Sequence, residues 1–252
     1  MKVLAVIPAR YASTRLPGKP LISIAGKPMI ERVWERVRRA SLVSGVIVAT
    51  DDERIAKAVK SFGGEAVLTR ADHRSGTERV AEVAVAHPDA EILANVQGDL
   101  PLIEPDAIDA AIETVRGDED VRLGTLAVPI TNPAEIMDPN VVKTVLDFDD
   151  NALYFSRAPI PWVRDRGGPV RAKHLKHLGL YVFRREALLE FATFPQGDLE
   201  RIEQLEQLRW LENGYRIRVA ETEYKSVEVD TPEDVKRVEQ ALAGGAGGAA
   251  AR

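Results

Sequence analysis

Four short apolar runs, at 2–8, 45–50, 65–69 and 91–97, alternate with stretches of helical period at 28–40, 52–62, 76–87 and 105–116. A strand that reads apolar throughout must be covered on both faces, and intervening helices do this when the strands run parallel. The expected fold is therefore α/β, a mostly parallel, Rossmann-like sheet flanked by helices. In the first helix Ile30, Val33, Trp34 and Val37 fall at i, i+3, i+4 and i+7, one stripe for burial, which leaves Arg32, Glu35 and Arg36 to solvent. Pro28 suits its first turn.

From about residue 121 the rhythm changes. VRLGTLAVPI, VVKTVLDF, HLGLYVF and YKSVEV read as strands with fewer helices between them, and helical period returns at 199–213 and 231–243. This half is expected to be mixed in strand direction. No Gly- or Ser-rich linker divides the chain, so one domain over 1–243 is expected, with 244–252 (GGAGGAAAR) as a flexible tail.

Composition narrows the chemistry. The chain lacks cysteine, which removes disulfides, thiolate metal sites and cysteine nucleophiles, so a metal would need oxygen or imidazole ligands. A formal charge of −5 with both signs interspersed argues against nucleic acid and anionic membranes as partners. Met1 and Lys2 lead straight into the first apolar run, without the features of a signal peptide, and the cytoplasm is the expected compartment.

In an open parallel sheet, ligands bind beyond the carboxyl ends of the strands, so the loops after strands are where function is expected. The first, PARYASTRLPGKP, carries Arg10, Arg15 and Lys19 among Pro8, Pro17, Gly18 and Pro20. Fixed cations on a stiffened, tightly turned backbone make a cradle for a triphosphate. Neither G-x-x-x-x-G-K-[ST] nor G-x-G-x-x-G occurs, which excludes the P-loop and the dinucleotide fingerprint.

A second loop ends the strand ILANV at Gln97-Gly98-Asp99. In isolation Asp99 would merely shape a turn; beside the cationic loop it is a candidate ligand for Mg²⁺, which favours one or two carboxylates plus phosphate oxygens. A third, Val229-Asp230-Thr231-Pro232-Glu233-Asp234, opens the last helix. Thr231 and Asp234 form a capping box with Pro232 at the first helical position, which leaves Asp230 either a plain charge at a helix N-terminus or something more. Ser75 and Glu78 likewise read as a capping box.

The run R-x-x-S-T-R-L-P-G-K-P resembles the amino-terminal signature of sugar nucleotidyltransferases, and its wording is similar to the family that activates 3-deoxy-manno-octulosonate (Kdo) with CTP. Matching segments continue in order to about residue 238. By this resemblance Gln97 helps to read cytosine, Asp99 and Asp230 hold magnesium, and H-R-S-G-T-E-R places Arg74, Ser75 and Gly76 against cytidine. Arg157, in a proline-stiffened loop, is suited to forking onto a carboxylate. His177 and Tyr181 lie on one strand face. A histidine there is more often a satisfied core residue, but S-R-A-x-I-P and K-H-L-G-L-Y resemble segments that line the family's sugar site. Leu199, Ile202, Leu205, Leu208 and Leu211 read as a buried stripe of the helix 199–213, with Glu206 and Gln207 off it; by resemblance that Glu-Gln pair bonds sugar hydroxyls. The chain departs from the family at Leu100, where glutamate is usual.

The implied activity is transfer of CMP from CTP to the anomeric hydroxyl of Kdo, giving CMP-Kdo and pyrophosphate for lipopolysaccharide synthesis. Residues 1–120 would mainly bind CTP, and 121–230 the sugar acid and a second copy in a homodimer. Arg10, Lys19, Asp99 and Asp230 are the candidate catalytic residues, and two Mg²⁺ ions are implied, one arriving with CTP. Alternatives are another acid sugar, 8-amino-Kdo or a sialic acid, or a non-catalytic nucleotide-binding homologue.

Overall fold

The computed structural model describes residues 1–12, 16–165, 173–224 and 227–244. In the first half the elements are β1 (Val3–Ala9), β2 (Ser23–Ile24), β3 (Lys27–Pro28), α1 (Met29–Val37), β4 (Gly45–Thr50), α2 (Glu53–Ser61), β5 (Glu65–Leu68), α3 (Gly76–Ala86), β6 (Ile92–Asn95) and α4 (Pro105–Arg116). There follow β7 (Leu123–Pro129), α5 (Pro133–Met137), β8 (Lys143–Leu146), β9 (Ala152–Ser156), β10 (Leu175–Arg184), α6 (Arg185–Phe191), α7 (Asp198–Glu203), α8 (Leu208–Glu212), β11 (Arg218–Glu221) and α9 (Pro232–Ala243).

The main sheet runs β11-β7-β10-β6-β1-β4-β5, with β8 joined to β10 and β9 to β8. β1, β4, β5 and β6 are mutually parallel, as are β7 and β11, while β10 runs against both β6 and β7. The sheet is thus mostly parallel, as the sequence implied, with a reversed strand inside it. The chain leaves β1 for β4 on one side and later returns to β6 on the other, so the strand order switches beside β1. That is where an open α/β sheet leaves a crevice.

Packing follows the patterns. Ile30, Val33 and Val37 of α1 are fully buried, each contributing about 1.5–3 kcal/mol, and Trp34 packs against Phe62. Arg32 is spent locally, donating to the carbonyls of Ile24 and Ala25 in the β2–β3 hairpin. Pro28, expected in the first helical turn, stands one position earlier as the N-cap because it also closes β3 against Ser23. A second core beneath β10 stacks Phe183 on Trp210 and Trp210 on Phe191.

Three expectations change. The helix anticipated over 199–213 is broken into α7 and α8, because Gln204 adopts the left-handed conformation (φ 54°, ψ 47°). A three-residue repeat drifts around a 3.6-residue helix, and Ile202 ends 78% exposed while Leu205 and Leu208 are buried. The carboxylate of Glu200 is instead carried inside, where Arg209 grips it with two bonds of 2.7 and 2.6 Å. The strand expected in YKSVEV is absent among its described residues, and the ladder forms earlier, as β11; Val229 instead docks on the loop after β6. At α3, Ser75 caps the N–H of Glu78, but the Glu78 carboxylate returns to the N–H of Arg74, one residue before the cap. The capping box of Thr231 and Asp234 is formed in both directions. The tail from 245 lies outside the described residues, among which no helix is long and apolar enough to cross a membrane.

Candidate active site

A cleft of about 370 Å³ opens at the carboxyl ends of β1 and β6. Pro8 to Arg10 and Ala12, Lys19 and Pro20, Met29, Gln97 to Asp99, and Asp230 line it. Two glycines lie close against β1 at Pro8, which lines the cleft. Gly98 lies so near β1 that a Cβ there would sit 2.9 Å from the Pro8 carbonyl oxygen, and a Cβ on Gly76 would sit 3.2 Å from the Pro8 ring. Gly18, at φ +69°, starts the 3₁₀ turn of Lys19–Leu21 and lies so near Tyr11 that a Cβ there would sit 3.2 Å from its ring. The Arg54 guanidinium stacks over that ring at 3.3 Å, fastening the loop to α2.

At the centre, the Lys19 ammonium donates to Asp99 Oδ2 at 2.7 Å and to Asp230 Oδ1 at 2.9 Å. The two aspartates, 131 positions apart in sequence, therefore converge on one cation. The turn that follows Pro17 and Gly18 supplies Lys19, the abrupt end of β6 supplies Asp99, and the bond from Val229 N to the Asp99 carbonyl brings Asp230 alongside. Burial would lower the pKa of Lys19, but Asp99 and Asp230 outweigh it and raise the pKa, so the side chain is a cation throughout the neutral range.

Arg10 faces the loop before α3, donating to the carbonyls of His73 and Ser75. Gly76 lies behind Gln97, which lines the cleft: a Cβ on Gly76 would lie 3.7 Å from Gln97 Oε1. Arg74 turns outward, two-thirds exposed, and pairs with Glu78. Arg15 lies outside the described residues.

A second polar group gathers Ser75, Thr77, Tyr181 and Glu206. Ser75 Oγ donates to Glu206 Oε1 at 2.6 Å and Thr77 Oγ1 to Oε2 at 2.7 Å. Burial raises the pKa of Glu206 against those two bonds and the nearby Arg209, and burial with the Glu206 charge raises that of Tyr181. His177 and Tyr181 share a face, with ring centroids 5.4 Å apart, since the bulge between Leu178 and Tyr181 inserts an even number of residues. His177 is a buried neutral imidazole, its pKa pushed down to about 3 by burial. Thr125 Oγ1 donates to the Leu180 carbonyl at 2.7 Å, so His177 Nε2 donates to Thr125 at 2.9 Å.

Arg157 is not brought to this group. Its guanidinium donates to the carbonyls of Pro139, Glu203 and Gln204 and clamps the chain around α7. Gln207 is buried at the start of α8. Leu100 joins the main core and is 4% exposed.

Sequence reasoning missed Thr77, Asn95 and Glu228. Asn95 interrupts an otherwise apolar strand, which was the available signal. At Glu228, desolvation and the charges of Asp99 and Asp230 push the carboxyl above the ordinary value against the pull of Lys176 and Lys19.

The sequence pattern of the family described as Cytidylyltransferase matches residues 4–218. A protein of Solibacter usitatus (strain Ellin6076) named 3-deoxy-manno-octulosonate cytidylyltransferase is 57% identical over 237 residues, covering 94% of this chain and 93% of its own. One of the same name from Syntrophotalea carbinolica (strain DSM 2380 / NBRC 103641 / GraBd1) is 54% identical over 250 residues, covering 97% and 100%. The solved structure of a CMP:2-keto-3-deoxy-manno-octonic acid synthetase complexed with CTP matches with a TM-score of 0.92 at 43% identity, covering 97% of this chain and 99% of that one. A 4-diphosphocytidyl-2C-methyl-D-erythritol synthase from Anaerococcus prevotii DSM 20548, at 15% identity, shares the fold with a TM-score of 0.62 over 96% of each chain.

Proposed function

Since the chain belongs to the cytidylyltransferase family, we propose that it transfers CMP from CTP to the anomeric C2 hydroxyl of Kdo, releasing pyrophosphate. One observation carries the reading: a cleft at the strand-order switch, centred on Lys19 between Asp99 and Asp230, in a chain 57% identical to a protein named for that activity.

The acceptor hydroxyl gives its proton to solvent as its oxygen bonds to the α-phosphorus, and the bond from that phosphorus to pyrophosphate breaks on the opposite side. Most of the work is positioning and charge neutralisation. Lys19 and Arg10 place positive charge beside the phosphates. Gly98 and Gly76 allow backbone to approach the nucleotide closely, and Gln97 meets the base. Ser75, Tyr181 and Glu206 form the wall between nucleotide and acceptor. The buried neutral His177 orients the acceptor strand and, at its depressed pKa, is no proton carrier near neutrality.

The donor set fits a hard divalent cation, since two carboxylates already share one positive charge. Among the described residues no group of three carboxylate or imidazole side chains gathers to hold a metal, so phosphate oxygens and water would complete its shell. Asp99 and Asp230 would hold Mg²⁺, a second ion would come with the triphosphate, and Mg²⁺ would supply charge neutralisation and polarisation of oxygen.

A cytoplasmic homodimer completes the reading. Support for the dimer comes from exposed Phe148 and Leu153 at the β8–β9 hairpin, Trp162 after it and Ile202 on α7. The test is mass analysis of products after incubation with each of the four nucleoside triphosphates, Mg²⁺, and Kdo, 8-amino-Kdo or a sialic acid. CMP-Kdo from CTP alone is expected; a preferred product with another acid sugar replaces Kdo, and no product with any acceptor overturns the enzymatic reading.

A further inference from the structure

A polar chain leads from the cleft into the protein. Gln97 Nε2 donates to Asn95 Oδ1 at 3.3 Å. Asn95 is 1% exposed, and its Nδ2 donates to Thr77 Oγ1 at 3.4 Å. Thr77 is 3% exposed and gives its one proton to Glu206 Oε2 at 2.7 Å. The other Glu206 oxygen accepts from Ser75 Oγ at 2.6 Å, and Ser75 Oγ in turn accepts from the N–H of Glu78 at 3.2 Å.

The chain runs in one sense. A carboxylate only accepts, so Thr77 must donate to Glu206 and offer a lone pair to Asn95. Asn95 then has its NH₂ towards Thr77 and its oxygen towards Gln97. Gln97, which lines the cleft, in turn has its NH₂ directed inward, which leaves Oε1, on the side of Gly76, as its acceptor. A glutamine without such support can turn its carboxamide over and exchange acceptor for donor.

Resting on the reading that a cytidine nucleotide binds here, we propose that Asn95, Thr77 and Glu206 are positioning residues that hold the Gln97 carboxamide oxygen-outward, so that the site takes the 4-amino group of cytosine and rejects the 4-oxo group of uracil. The amino group donates and the oxo group accepts, so only cytosine matches a fixed acceptor. Leaving two acceptors face to face without a proton between them is what penalises uracil.

The experiment is binding of CTP and of UTP, measured calorimetrically with Mg²⁺ and without acceptor, to the wild type, Thr77→Val and Thr77→Ser. The wild type is expected to prefer CTP. Thr77→Val, which keeps the shape and loses the hydroxyl, should lower the CTP:UTP affinity ratio by about tenfold, and Thr77→Ser should keep it within about twofold of the wild type. A folded Thr77→Val with the wild-type ratio overturns the proposal, as does loss of the ratio in Thr77→Ser equal to that in Thr77→Val. If Thr77→Val does not fold, Glu206→Gln is read the same way, because an amide can donate back to Thr77 and free the relay to reverse; an unchanged ratio there overturns it too. Equal binding of both nucleotides by the wild type also refutes the relay, even where CTP-dependent transfer to Kdo is observed. A wild type that prefers CTP yet transfers to no acid sugar refutes the proposed acceptor and leaves the relay to the variants.

Discussion

The backbone N–H of Val229 donates to the carbonyl oxygen of Asp99 at 3.0 Å, and through this bond the loop before α9 is seated on the loop after β6. The side chains of Asp99 and Asp230 then meet at the Lys19 ammonium. Replacing either carboxylate with its amide keeps this backbone seat and removes a charge. Asp99→Asn and Asp230→Asn should each cut turnover by at least about 10²–10³-fold, while CTP still binds. Pyrophosphate release and calorimetry check the two halves; near-normal turnover in either variant removes that carboxylate from the mechanism.

Gly98 has no room for a side chain. Because the obstacle is the Pro8 carbonyl, backbone of β1 itself, it cannot swing aside as a flexible side chain would. Gly98→Ala should cost about 1–3 kcal/mol in urea unfolding and displace the Gln97 and Asp99 side chains, lowering kcat as well. A stable and fully active Gly98→Ala variant would contradict the close approach.

His177 ties stability to pH. Its pKa in the folded protein is about 3, below the ordinary imidazole value of 6.5, so the unfolded chain binds the proton more readily. The stabilisation from a neutral His177 is fully present above pH 6.5 and is lost as the pH falls towards 3. Between pH 7 and pH 5 it should amount to about 2 kcal/mol. Chemical denaturation at both pH values checks this, with His177→Phe expected to remove most of that slope; a variant with the wild-type slope rules out His177 as its source.

Arg209 and Glu200 are both buried and joined by two bonds, and breaking such a pair from one side leaves a charge stranded. Arg209→Met should destabilise by about 3–5 kcal/mol, and adding Glu200→Gln should recover a good part of it. Thermal melts of the single and double variants measure the coupling. No recovery in the double variant would mean that packing, rather than the stranded carboxylate, sets the cost.

Trp162 and Ile202 are 71% and 78% exposed, and the proposed homodimer would cover them. In the proposed homodimer Trp162→Glu combined with Ile202→Glu should weaken association by at least about tenfold, since each buries a charge at an apolar contact. Sedimentation equilibrium reads the outcome, and a wild type that sediments as a monomer at micromolar concentration removes the dimer.

The alternation of apolar runs with helical periods made the first half of the fold legible, because each strand is covered on both faces and so reads as a continuous apolar run. The second half was less so. β11 reads as Arg218-Val219-Ala220-Glu221, too short and too charged at its ends to stand out, and Gln204 enters the left-handed region without a glycine to announce it. At the site, the phosphate-cradle composition pointed to Lys19, and helix capping left Asp230 unexplained. That Lys19 sits between the aspartates could not be read, since it depends on Val229 docking 130 positions from its partner. Arg157 has the composition of an anion ligand, yet three of its five guanidinium donors are engaged by carbonyl oxygens that only the folded chain brings near.

The reversed strand β10 has a bearing on synthesis. It is the hydrogen-bonding partner of β6, through Tyr181 opposite Asn95, yet Tyr181 leaves the ribosome 86 residues after Asn95. Until then β6 offers a row of unsatisfied peptide groups, the kind of rim on which growing polypeptides catch one another. Translation therefore passes through an interval in which the early half is raw along one side, and a pause or truncation within it should favour aggregation over folding.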